Sequence, residues 1–160
     1  MPDPEITSEA FTAFLSQIRM KEIWVERCSC SVMDRRRLEA NVKSSMIEFG
    51  HAPSLHRATS KRAEISVLHG ARIFLEGEKE DLALLTVTYR VEYETPSKMS
   101  PELFDLFRRV TLRLHTTPFA REWIHEQSLR MGIAPILMPL AVSHPAAAGP
   151  AERRKNDRRR

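Results

Sequence analysis

Residues 62–94 read RAEISVLHGARIFLEGEKEDLALLTVTYRVEYE. In the first half the odd positions carry Ala63, Ile65, Val67, His69, Ala71, Ile73 and Leu75, while the even ones include Arg62, Glu64, Ser66, Arg72 and Glu76. Leu68 and Phe74 are the exceptions. Side chains on a strand point alternately to opposite faces, so this pattern predicts a strand with one dry and one wet face. Gly70 is read as a bulge. EGEKED at 76–81 supplies a polar hairpin connection. The next strand puts Leu85, Val87, Tyr89, Val91 and Tyr93 on one face, and Thr86, Thr88, Arg90, Glu92 and Glu94 on the other. An antiparallel pair covered on one side satisfies both strands.

Upstream, IWVERCSCSVM predicts a further strand over Ile23–Met33. Strict alternation groups Trp24, Cys28, Cys30 and Val32 on one face, and Ile23, Val25 and Met33 on the other. A helix is expected over Glu9–Met20, capped by Ser8, with Phe11, Phe14, Leu15 and Ile18 on one stripe. Between Asp34 and Lys61 the pattern is weak. DRRR reads as a charged turn or loop, Gly50 and Pro53 punctuate the residues after it, and one strand is expected over Ser54–Ser60.

Downstream of Thr95-Pro96 the period changes. Ser100-Pro101-Glu102 opens a helix with a capping serine and a proline at its first position. Leu103, Phe104, Leu106, Phe107, Val110, Leu112 and Leu114 give it a broad apolar face through His115. Pro118 predicts a kink or restart at Thr117, then a second helix from Pro118 to Met131 stopped by Gly132. Ile133–Leu140 is extended, held out of helix by Pro135 and Pro139. Helix, strands, then helices argues an α+β fold: an antiparallel sheet with helices on one side, burying the Tyr89/Tyr93 face.

The 160 residues are read as one domain over 1–142 and a disordered basic tail over 143–160. The longest apolar stretch, Ile133–Val142, is broken by its prolines and is shorter than the ~20 residues that a membrane span needs. No secretory signal opens the chain, so the cytosol is expected. Cys28 and Cys30 are too few for a disulfide framework and are read as reduced thiols. Without a Cys-x-x-Cys or His-x-x-x-His pattern, neither a metal nor another cofactor is expected. Six of the 25 basic and two of the 21 acidic residues lie in AERRKNDRRR at 151–160, so residues 1–150 are neutral, with nineteen of each sign. The tail fits either a nucleic-acid or acidic-partner patch, though without interleaved aromatics for base stacking, or a solubilising end, and the second reading is preferred because short basic ends are common.

No active site is expected. Five glycines, at 50, 70, 77, 132 and 149, form no phosphate loop, and neither a Gly-x-Ser-x-Gly elbow nor a zinc-protease helix occurs. His125 and Glu126 are adjacent on a helix and do not face each other. What stands out is apolar surplus: Trp24, Met131, Ile133, Ile136, Leu137 and Met138 fit an exposed binding surface, and equally a core or subunit interface.

Thr117-Pro118-Phe119-Ala120-Arg121-Glu122-Trp123-Ile124 resembles the Pro-aromatic-x-Arg-Glu helix start of the SecB chaperone family. Ser128-Leu129-Arg130-Met131-Gly132-Ile133-Ala134-Pro135 is similar to the segment where that family's helix ends in an apolar-proline stretch, which Ile136–Leu140 continues. The similarity is specific over 115–140 and a matter of element order over 10–95. It implies a four-stranded antiparallel sheet backed by helices, assembled as a homotetramer, a dimer of dimers. It further implies ATP-independent holding of unfolded polypeptides, either export precursors for the motor SecA or an unstable antitoxin. By the same resemblance Pro118, Phe119, Arg121 and Glu122 shape the kinked helix, while Trp24, Ile133, Ile136, Leu137 and Met138 line or flank a polypeptide groove. The chain departs from the export chaperone in its neutral body, its basic tail and the lack of a counterpart to the family's last helix after Pro145. The function expected is therefore a holding chaperone. The rivals are an oligomer of the same fold dedicated to one protein partner and a nucleic-acid adaptor acting through the tail.

Overall fold

The computed structural model describes residues 6–139. The basic tail, the domain boundary at 142 and the end of the extended segment at Leu140 lie outside the described residues. In chain order the elements are α1 (Ser8–Gln17), β1 (Arg19–Val32), α2 (Arg35–Ala40), β2 (Ser45–Ala58), β3 (Arg62–Leu75), β4 (Asp81–Glu94) and α3 (Pro101–Arg130). The four strands form one antiparallel sheet in the order β1-β4-β3-β2.

The central pair is as the alternation requires. Ala63, Ile65, Val67, His69, Ala71 and Ile73 are buried on the face they share with Leu85, Val87, Tyr89, Val91 and Tyr93. Gly70 makes no bulge, pairing in register with both Gly50 and Thr86. The β3–β4 connection turns at Gly77, whose φ of 80° suits a residue without Cβ. Phe14 of α1, Leu38 of α2 and Phe107 of α3 join the same buried cluster, so all three helices cover one face of the sheet. Phe14 and Phe107 meet edge to face at 6.4 Å.

The outer strands differ from expectation. β1 begins at Arg19, because α1 stops at Gln17 and Arg19 and Met20 pair with Glu94 and Tyr93 of β4. The helix cap is Thr7, whose hydroxyl accepts from the Ala10 amide, rather than Ser8. A bulge between Val25 and Arg27 reverses the parity of β1. Trp24 consequently lies opposite Arg90 on the face without helices, while Val25, Cys28, Cys30 and Val32 share the other side of the sheet with Tyr89, Val87, Leu85 and Ala83, where Val25 and Cys28 stay exposed. The displaced Glu26 carboxylate accepts from the Arg90 guanidinium and from the Ser66 hydroxyl at 2.9 Å. These bonds hold its carboxyl below the usual range, Arg90 contributing most.

The segment 34–61 holds a helix and a fourteen-residue strand where only Ser54–Ser60 was expected. Asp34 caps α2 by accepting from the Arg37 amide at 3.0 Å. β2 tolerates Pro53 because an edge strand can spare a donor.

Ser100 caps α3, accepting from the Leu103 amide at 3.2 Å, with Pro101 in the first turn. The two helices expected on either side of Pro118 are one, with the proline inside it. Pro118 and Leu114 sit on the exposed side, where the carbonyl that loses its partner can meet water. On the inner side the Tyr89 hydroxyl donates to the Phe119 carbonyl at 3.1 Å, Tyr93 meets His115 Nδ1 at 3.0 Å, and His69 Nε2 meets Thr116 Oγ1 at 2.9 Å. α3 ends in two backbone bonds, Gly132 to the Leu129 carbonyl and Ile133 to that of Ser128, with Gly132 at φ 65°.

Candidate functional site

After Gly132 the chain runs extended beside β2. The buried Ser128 hydroxyl fixes it by accepting from the Ile136 amide at 3.0 Å and donating to the His125 carbonyl at 2.7 Å. Between this segment and α2 opens a pocket of about 160 Å³, walled by Leu38 and Val42, the start of β2 at Ile47, Ile73, Ile133 and Ile136. Its lining is aliphatic apart from Ser45 and Glu39. Val42 and Ile47 are 51% and 44% exposed, so the pocket offers apolar surface to the outside. A cavity of this size holds one benzene-sized group.

Arg35 joins the two walls. Its guanidinium donates to Glu39 at 2.9 Å on its own helix, and to the carbonyls of Met131 and Gly132 at 3.3 and 3.0 Å. A cation there also suits the negative end of α3.

Further along β2 is a second, smaller cavity of about 40 Å³, lined by Phe49, Gly50, His51, His69, Arg113, Thr117, Met138 and Pro139. The His51 and His69 rings lie 4.8 Å apart. Burial pushes His51 down to about 4 and His69 to about 3, helped for both by the positive Arg113. His51 Nε2 is buried without a hydrogen-bond partner.

The expected site residues divide. Ile133 and Ile136 meet in the larger pocket, where Ile136 is a buried floor, and Met138 lines the smaller one. Leu137 points outward, 64% exposed. Trp24 is not brought to either: it lies on the far edge strand and the opposite sheet face. Pro118, Phe119, Arg121 and Glu122 lie mid-helix, with Phe119 against Tyr89, and line neither pocket. Leu38, Val42 and Ile47, absent from the expectation, stand in the wall of the larger pocket opposite residues 132–136. Only Ile47 had a signal in the sequence, the alternation Ile47, Phe49, His51, Pro53, Leu55. Among the described residues no group of three or more His, Cys, Asp or Glu could hold a metal ion. No helix there is long and apolar enough to cross a membrane.

The same architecture occurs in the SecB-like chaperone Rv1957 of Mycobacterium tuberculosis, solved in complex with a ChAD peptide from the Rv1956 HigA1 antitoxin. The two superpose with a TM-score of 0.64 at 18% identity, over 84% of this chain and 98% of that one. The fold is SecB-like. A Streptococcus agalactiae protein of unknown function is more distant, with a TM-score of 0.48 at 9% identity over 78% of this chain and 98% of its own. No protein-family model and no curated protein matches the sequence. Within the SecB-like fold, the aliphatic pocket and the His51 cavity lie on the edge formed by β2 and residues 132–139.

Proposed function

We propose that this chain is a holding chaperone that binds extended, non-native polypeptide segments without ATP, seating an apolar side chain in the pocket between α2 and residues 132–136. The observation that carries this is the open aliphatic pocket beside an edge strand. β2 offers unpaired backbone groups to an extended segment, and the pocket offers apolar surface for its side chains. Burial at about 25 cal/mol per Å² makes one seated side chain worth a few kcal/mol before ordering costs. Ile133 and the outward Leu137 flank the site. A second reading, one dedicated partner such as an antitoxin, draws on the peptide bound by the SecB-like neighbour.

We place the protein in the cytoplasm as a homotetramer. The fourteen-residue edge strand β1, exposed over most of its length with Met20 and Val25 uncovered, favours pairing with a second copy. Engagement of SecA is not included in this reading, because residues 1–150 carry no net charge.

The test is suppression of aggregation of a chemically unfolded protein by the purified chain without nucleotide, beside its mass in solution. Near-stoichiometric suppression by a tetramer is expected, with strong loss in Ile47→Asp, whose side chain is already half exposed and whose fold should survive. A well-folded oligomer that suppresses nothing would leave the dedicated-partner reading. Equal activity in Ile47→Asp would move the site elsewhere.

A further inference from the structure

The smaller cavity brings one guanidinium and two imidazoles together without a carboxylate. His51 is faced by His69 from β3, by Arg113 and Thr117 from α3, and by Met138 and Pro139 from the C-terminal segment. No carboxylate is among these residues, and Arg113 has no ion-pair partner among the described residues. Thr116 Oγ1 donates to the Leu112 carbonyl at 3.0 Å, so it accepts from His69 Nε2 at 2.9 Å. That contact fixes the His69 tautomer and leaves Nε2 of His51 as the buried, unpartnered polar atom of the cavity. A guanidinium beside two uncharged imidazoles, one with an unused nitrogen, is the complement of an anion. About 40 Å³ admits a carboxylate head and excludes an aromatic ring.

We propose that the Arg113–His51 cavity receives the carboxylate of an aspartate or glutamate side chain in the bound polypeptide, accepting hydrogen bonds from the Arg113 guanidinium and from His51 Nε2–H. This rests on the holding function proposed above and gives that site a sequence preference. Ile47, in the wall of the aliphatic pocket, and His51 are four residues apart on β2, which at about 3.3 Å per residue is about 13 Å. An extended client spans that distance in the same number of residues. The favoured segment therefore carries an aliphatic residue and an acidic one four positions apart.

The experiment uses the full chain and soluble Ser/Gly-rich peptides bearing one leucine and, four residues away in either order, aspartate or asparagine. Fluorescence anisotropy at neutral pH and low salt should give about tenfold tighter binding for one aspartate peptide than for its asparagine twin. Salt should shrink the gain, and Arg113→Gln, at an exposed position, should abolish it. Equal affinities overturn the proposal. Acetate alone, followed by the ring resonances of His51, tests the cavity without reference to clients. It should shift His51 and raise its pKa in the wild type and not in Arg113→Gln. An acetate response with equal peptides assigns the cavity to free anions and overturns the client source. An acetate response with no peptide bound at all removes the holding function, and this client preference with it, while leaving an anion site. No acetate response overturns the site itself.

Discussion

Replacing Gly132 by alanine tests how the larger pocket is built. The residue has φ 65°, where a side chain costs an L-amino acid about 1–2 kcal/mol. A Cβ built there would also lie 2.8 Å from Arg35 Nη2, closer than such contacts occur. The guanidinium would move, giving up its bonds to the carbonyls of Gly132 and Met131, worth about 0.5–1 kcal/mol together at this exposed position. Gly132→Ala should therefore cost about 2 kcal/mol, or about 4–8 °C in Tm for a chain of this size. The two parts separate in a double-mutant cycle with Arg35→Ala, read by denaturant unfolding. In the Arg35→Ala background only the backbone part remains, so the same substitution should cost about 0.5–1 kcal/mol less. If Gly132→Ala costs the same in both backgrounds, Arg35 does not clamp α2 to the end of α3, and the pocket's two walls are held together by something else.

Two further outcomes rest on buried polar groups. Ser128→Ala leaves the buried Ile136 amide without its acceptor, which should cost about 1–3 kcal/mol and loosen residues 133–139, measurable as faster amide exchange at Ile136 than elsewhere in the segment. Stability should also depend on pH through His69 and His51, whose folded pKa values of about 3 and about 4 lie below the ordinary 6.5. The unfolded chain then takes protons first as pH falls, so this stability is full above about pH 6.5 and declines toward the folded values. At pH 5 the loss should be about 2 kcal/mol for His69 and less for His51, which water partly screens. A denaturation midpoint unchanged between pH 7.5 and 5 would exclude it.

The sheet was legible where each strand is flanked on both sides. β3 and β4 are interior, so every second residue must be apolar, and the sequence obeys with few exceptions. Edge strands face weaker demands. β2 admits Gly50 and Pro53 and exposes Met46 and Ile47, so its first nine residues escaped the period-two reading. β1 was found, but its faces were not, because the bulge is stabilised by Arg90 and Ser66 from strands distant in the chain. No local residue type marks it. α2 was invisible for a similar reason: six residues make too little periodicity, and Arg35 and Arg37 are held by Gly132 and Glu78 far along the chain. Hence the apolar-proline segment pointed to Ile133 and Ile136, which do line the larger pocket, while its opposite wall went unseen and Trp24 lies on a strand that reaches neither cavity. His51 and Arg113 lie on different elements and carry no shared spacing.

The three polar bonds from Tyr93, His69 and Tyr89 to the middle of α3 act as a vernier. Apolar contacts alone would let a thirty-residue rod, about 45 Å long, slide along the sheet with little change in buried area. Sliding by one turn, about 5.4 Å, would strand all three buried partners, at about 1–3 kcal/mol each. The rod is thereby indexed to one position, and its far end inherits that setting. Gly132 lies 13 residues beyond the last of these bonds, about 20 Å away, yet where it stands is set by two tyrosines and a histidine that never approach it.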